Sequence, residues 1–175
     1  LACCALGLAS FYGPSIMAGF AENGGMHAYT VDSLRKTLFS PDPPGLVPVN
    51  TAGWTTERTD WSDPVAQAQP RALNPAAPPK ILQGTGIARG PLIGGCAEVL
   101  EMIKGTAWWP GLDAWDGAIL FYETSEDAPP DKFIRYWLRN YAAQGILGRL
   151  SGILLARPDT LGDPTYQKQL ETVVT

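Results

Sequence analysis

Charge is scarce in this chain. Only 17% of its 175 residues are Asp, Glu, Lys or Arg, and the formal net charge is −4. A protein that holds a nucleic-acid polymer needs a basic face, and this composition does not supply one. Histidine is scarcer still: His27 is alone, in the loop "AENGGMHAYT", where a single histidine serves structure more often than catalysis. No Gly-x-Ser-x-Gly elbow occurs and no Cys–His pair can be assembled from local sequence, so a serine or cysteine hydrolase with all its parts inside these residues is not expected. The three cysteines, Cys3, Cys4 and Cys96, are odd in number and lack metal-ligand spacing, which fits a reduced, cytosolic chain without a metal. No apolar run approaches the length of a membrane span. The opening "LACCALGLASF" lacks an initiator Met, a basic segment and a cleavage pattern, so it reads as the end of a buried helix rather than as a signal peptide. No internal repeat is visible.

What is present points to a mixed α/β chain. Hydrophobic residues make up 45%, enough for a core. Ten of the 16 prolines fall between Pro41 and Pro91, which marks a long loop-rich connection, and such loops commonly bind something or are disordered. "FYGPS" (11–15) is a turn. "TVDSLRKTLF" (30–39) predicts a short helix capped by Thr30, with Val31, Leu34 and Leu38 on one face. Regular order is expected to lapse from Ser40 to Lys80, apart from extended pieces such as "GLVPVN". "KILQGTGIARGPLIGG" (80–95) predicts two short strands broken by glycines. "CAEVLEMIKG" (96–105) predicts a helix with Val99, Leu100 and Ile103 inward and Gly105 at its end. "GAILFYE" (117–123) has the five-residue apolar run of a strand buried on both faces. "DKFIRYWLRNYAAQG" (131–145) is the clearest helix, with Phe133, Tyr136, Trp137 and Asn140/Tyr141 at helical spacing. "SGILLAR" (151–157) predicts a second buried strand. Strand, helix, strand at this spacing is a βαβ unit with parallel pairing and a right-handed crossover. "GDPTYQKQLETVV" (162–174) starts a further helix, with Pro164 near its first turn; both ends of the chain read as cut.

Several stretches carry candidate chemistry. The strand at 117–122 ends on Glu123, and ligands in open α/β sheets collect at the carboxyl ends of strands. Gly94 and Gly95 precede a helix, where free N–H groups hold anions, although tight packing against a neighbouring element explains the pair equally well. Trp54 and Trp61 in "GWTTERTDW" suit stacking on a ring or base, or cover a core edge. Trp108 and Trp109 in "TAWWPG" read as packing. "GTGIARG" (84–90) is spaced G-x-G-x-x-x-G with no long helix directly after it, so no dinucleotide or other cofactor is expected.

Taken in order, "FYGP", "GPLIGG" leading into a helix, "GTAWWP", "GAILFYE", "AAQGIL" and "GILLARP" resemble the LD-carboxypeptidase family of serine peptidases, over most of residues 8–160. Each motif is weak alone, whereas their order and spacing together are specific. The Trp-containing loop is similar to that of the microcin C self-immunity peptidases within the family, rather than to the murein tetrapeptide carboxypeptidases. The resemblance implies a partial two-domain protein. Residues 1–40 would end a flavodoxin-like N-terminal nucleophile domain, 41–74 would be a Pro/Trp-rich connecting loop, and 75–175 would form most of a swivelling β/β/α C-terminal domain.

The family uses a Ser–Glu–His triad, and the glutamate that ends its "ILFLE"-type strand falls on Glu123. The serine lies in a Gly-x-Ser-Asp turn before the "FYGP"-type segment and the histidine in a Gly-His segment after the "GILLARP"-type strand. Neither motif is present in this sequence; Ser10, Ser15 and His27 do not match them. The resemblance therefore implies a chain carrying one of three triad members and inactive by itself. After the family's Gly-Gly pair an Asn contacts substrate; here the pair ends at Gly95 and Cys96 stands in that place. The acidic cluster Glu126–Asp127 lacks the basic residue that some microcin-immunity members carry just after the glutamate. Glu123 is thus the expected catalytic acid, with Trp54, Trp61, Gly95 and Cys96 as substrate-binding residues. The implied substrate is a murein L,D-peptide or a peptidyl-nucleotide antibiotic, cleaved by a cytoplasmic homodimer that needs no cofactor, membrane or nucleic-acid polymer. The other function these residues suit is a non-enzymatic α/β domain holding a small aromatic or nucleotide-like ligand on the Trp loop.

Overall fold

A computed structural model of the chain describes residues 1–159, 163 and 165–175. In chain order the elements are α1 (Ala2–Ala5), α2 (Ala28–Leu38), α3 (Pro64–Gln67), β1 (Leu92–Cys96), α4 (Ala97–Ile103), β2 (Ile119–Glu123), α5 (Asp131–Ala143), β3 (Gly152–Leu155) and α6 (Tyr166–Val174), with single helical turns at Ile16–Phe20, Leu112–Trp115 and Leu147–Arg149. They fall into two compact units. One comprises Leu1–Phe11 with Ile81–Thr175, the other Tyr12–Lys80. The partition drawn from sequence, at 40/41 and 74/75, follows composition and family pattern, whereas this one follows which residues touch.

The larger unit is a mixed α/β domain. Its strands are parallel in the order β1-β2-β3, with α4 and α5 as the intervening helices, so the βαβ expectation is realised. β2 is central. Leu120 and Tyr122 on one face of it are fully buried, while Ile119, Phe121 and Glu123 on the other are half-buried. β3 differs from the buried strand expected: Ile153 is 39% and Leu154 56% exposed, because β3 is the edge of the described sheet and has only one paired neighbour. The stretch 80–95 also departs from expectation, giving one strand rather than two. The positive φ of Gly84 and Gly86 keeps the first part out of extended pairing geometry.

Helix α5 exists where expected, and Tyr141 is buried and Trp137 packs on the core as the expected face requires, but Phe133 and Tyr136 do not turn inward. Its buried residues are Ile134, Leu138 and Tyr141, an i, i+4, i+7 stripe. Phe133 is 42% and Tyr136 55% exposed, and Phe133 stacks on the half-buried Trp137 with centroids 6.3 Å apart. The helical period admits either neighbour of the Trp137/Tyr141 edge, and the side carrying Ile134 and Leu138 joins the buried core. In α4, Ala97 and Leu100 are buried and Val99 is 51% exposed, for the same reason. The core is aromatic at its centre: Trp109 lies 5.6 Å from Trp115 and 5.5 Å from Tyr141, and Tyr122 meets Tyr141 edge-on at 6.3 Å. The "TAWWPG" pair therefore splits, since Trp109 packs on the core while Trp108 is exposed. At the start of the chain, Leu1 and Cys4 pack against that core, at a single helical turn. The helix predicted from residue 162 is described from Tyr166; Pro164 lies outside the described residues.

The unit Tyr12–Lys80 is organised differently. Among its described residues no apolar side chain is buried, whereas Glu22 and Asn23 are. Arg71 donates through Nε to Glu22 Oε1 at 2.8 Å and through Nη2 to the other carboxylate oxygen. Its Nη1 donates to the Glu57 carbonyl at 2.6 Å, and the Glu57 carboxylate accepts the Ala72 N–H at 2.7 Å. Asn23 Nδ2 donates to Thr59 Oγ1 at 2.9 Å and to the Ala66 carbonyl at 3.2 Å. This network, together with the pairing of Trp54 with Asn74 and the capping of α3 by Asp63, orders the Pro-rich segment that sequence leaves without regular structure. Helix α2 begins behind His27, not at Thr30: His27 is extended and its carbonyl accepts the Val31 N–H at 3.1 Å.

Candidate functional site at the carboxyl ends of the central strands

Parallel strands bring their carboxyl ends to the same side of a sheet. In the register of β1 and β2, Gly95 pairs with Tyr122 and Cys96 with Glu123. Three of the residues singled out from sequence are thereby neighbours. Glu123 is half-buried, one position past the last pairing of β2 with β3, Tyr122 with Leu155. Trp54 and Trp61 belong to the other unit. Trp54 is 44% and Trp61 63% exposed, and the Trp54 indole N–H donates to the Pro75 carbonyl at 3.0 Å.

The glycine pair has a backbone explanation. A Cβ at Gly94 would lie 1.8 Å from the Phe121 carbonyl oxygen, and Gly95 has φ +146°, a conformation that glycine adopts without strain. β1 can therefore lie close to β2 and turn at once into α4. With only seven residues, α4 offers a weak dipole, and its first turn is already occupied by an acid, Glu98.

Glu98 was not visible as a site residue in the sequence. Its carboxylate accepts the Ser125 hydroxyl at 2.5 Å and the Ser125 N–H at 3.1 Å, and its other oxygen accepts the Cys96 thiol at 3.3 Å. Burial pushes the Glu98 carboxyl up, but donation from Ser125, from the backbone and from Cys96 outweighs it and holds the group below the usual glutamate value. Burial is also the main influence on Cys96, and with the Glu98 carboxylate beside it the thiol is pushed up, so Cys96 presents a neutral S–H. On the far side of the same turn the Tyr166 hydroxyl donates to the Pro129 carbonyl at 2.7 Å. An acid in the first turn of a helix is a readable signal; its partner 27 positions away is not. Among the described residues, no three His, Cys, Asp or Glu side chains gather to hold a metal ion, and no helix is long and apolar enough to cross a membrane.

His27 lies 3.6 Å from the Glu22 carboxylate, in the polar network of the other unit. The buried Glu22 and its half-buried partner Arg71 were likewise not singled out from sequence.

Comparison with known proteins gives this geometry a family. Residues 89–175 match the LD-carboxypeptidase C-terminal domain. The chain is 28% identical over 120 residues to the microcin C7 self-immunity protein MccF of Escherichia coli, covering 68% of this chain and 33% of that protein. The crystal structure of an MccF-like protein from Streptococcus pneumoniae in complex with AMP aligns with a TM-score of 0.79 at 27% identity, over 97% of this chain and 52% of that one. The structure of MccF in complex with aspartyl sulfamoyl adenosine aligns with a TM-score of 0.58 at 23% identity, over 99% of this chain and 53% of that one, a likeness of fold. The chain thus spans about half the length of these structures and a third of the curated relative. The β1–α4–β2 arrangement that pairs Cys96 with Glu123 lies wholly within the matched region, and this C-terminal half of the chain belongs to the LD-carboxypeptidase family.

Proposed function

We propose that this chain is part of a serine-type carboxypeptidase or amidase that cleaves an amide in a peptidyl-nucleotide, with Glu123 as the acid of a Ser–Glu–His triad. The observation that carries the reading is the position of Glu123, half-buried at the carboxyl end of the central strand of an LD-carboxypeptidase C-terminal domain. A triad acid must be held still and partly shielded from water, so that it selects the imidazole tautomer and stabilises the imidazolium formed when histidine takes the serine proton. The end of a central strand meets both conditions better than a loop does. The serine and histidine would come from polypeptide outside these 175 residues. The nucleotide half of the substrate is supported by the AMP held by the S. pneumoniae relative and by the immunity role that names the E. coli one. Cys96, beside Glu123 in place of an Asn, would present a neutral thiol to the substrate. The exposed rings of Trp54 and Trp61 suit stacking on a base and also support the simpler function of a nucleotide-binding domain without catalysis.

Hydrolysis of aspartyl sulfamoyl adenosine by the intact protein separates the two. Glu123→Gln should lower kcat on the order of 10⁴-fold while leaving AMP affinity unchanged. Unaltered turnover in that variant would remove Glu123 from the triad, and absence of turnover with AMP still bound would favour the binding domain. Turnover by the isolated 175-residue chain, abolished by Glu123→Gln, would show that the serine and histidine lie inside it.

A further inference from the structure

The turn that follows Glu123, residues 124–130, is fastened from both sides. Glu98, in the first turn of α4, takes both the hydroxyl and the N–H of Ser125. Ser125 in turn organises the turn itself: its Oγ accepts the Asp127 N–H at 3.2 Å and its carbonyl accepts the Ala128 N–H at 3.2 Å. Ala128 sits at φ 45°, in the left-handed region that costs a non-glycine residue on the order of 1 kcal/mol or more and persists only where neighbours impose it. At the far end Tyr166, itself 6% exposed, donates its hydroxyl to the Pro129 carbonyl. A half-buried carboxylate and a buried tyrosine thus both hydrogen-bond to a turn that starts one residue after Glu123.

Capping of α4 alone does not account for this. Glu98 directs its side-chain bonds not only to the adjacent Cys96 but to a residue 27 positions further on, and charge-assisted bonds of this kind are the strong ones. We propose that Glu98 and Tyr166 are positioning residues for Glu123: by clamping the 124–130 turn from α4 and α6, they keep the carboxylate at the end of β2 in a single orientation. The inference rests on the reading of Glu123 as a triad acid and adds the groups that hold it.

Two measurements test it. In the 175-residue chain, Glu98→Ala and Tyr166→Phe should each raise amide exchange across residues 124–130 about tenfold, the loss of roughly one hydrogen bond, without changing protection in β1 and β2. In the intact enzyme, Glu98→Ala should lower kcat for aspartyl sulfamoyl adenosine about tenfold at unchanged KM. Glu98→Gln, whose amide oxygen still accepts from Ser125, should recover most of that loss. In a Glu123→Gln background Glu98→Ala should cost nothing further. Unchanged exchange at 124–130, or an equal loss of kcat in both backgrounds, would overturn the clamp and leave the acid assignment standing. Full turnover by Glu123→Gln alone would overturn both.

Discussion

Burying a carboxylate costs several kcal/mol unless opposite charge and hydrogen bonds meet it, and Glu22 shows how this chain meets that cost. Its side chain is 3% exposed and takes Arg71 through both carboxylate oxygens. The Arg71 guanidinium is the main reason that Glu22 is held below the ordinary glutamate value, against the opposing effect of burial. Arg71→Ala removes the main partner of that buried carboxylate and should destabilise the Tyr12–Lys80 unit by about 3–5 kcal/mol, read from urea unfolding followed by the fluorescence of Trp54 and Trp61. Acid should act in the same direction. A depressed folded pKa contributes stability that is complete above the unfolded value, about 4.3 for glutamate, and is lost as pH falls through the lower folded value. The unfolding midpoint of this unit should therefore drop below that pH, and Glu22→Gln should flatten the profile. Neither residue stands out in the sequence, because a charged pair 49 positions apart has no local signature.

Elements were more legible than residues, and what misled was which face each presents. β2 and α5 were evident from an apolar run and a helical period, and the glycines at 94–95 were evident as a tight point. Period alone placed Trp137 and Tyr141 of α5 against the core but did not choose between Phe133/Tyr136 and Ile134/Leu138 as their inward neighbours. That choice belongs to the sheet surface against which the helix packs. Close approach of β1 to β2 gives the glycine pair a sharp test. Gly94→Ala would force a Cβ to within 1.8 Å of the Phe121 oxygen, and should cost at least the upper part of the roughly 1–3 kcal/mol usual for overpacking. It should also disturb the Cys96–Glu123 pairing. A Cβ at Gly148 meets nothing within 4 Å, so Gly148→Ala should change the melting free energy by less than about 0.5 kcal/mol.

The two units of the whole molecule rest on different physics. The Leu1–Phe11 and Ile81–Thr175 unit has the buried apolar core, from Ile93 to Leu170, whereas Tyr12–Lys80 is held by capped turns and a polar network. Local opening follows buried apolar packing. Amides of β2 and α5 should therefore exchange on the order of 100-fold more slowly than those of α2 and α3; equal protection would mean that the two unfold as one. Composition, glycine placement and hydrophobic period were enough to determine that this is an α/β chain, that a βαβ unit occupies its second half, and that the central strand ends on Glu123, because these depend on residues close in sequence. Tertiary structure alone decided that Cys96 stands beside Glu123, that Glu98 and Tyr166 fasten the turn beyond it, and that Glu22 and Arg71 knot the Pro-rich segment. Each of these is a contact between distant positions, and its energy comes from burial and hydrogen bonding that exist only once the chain has folded.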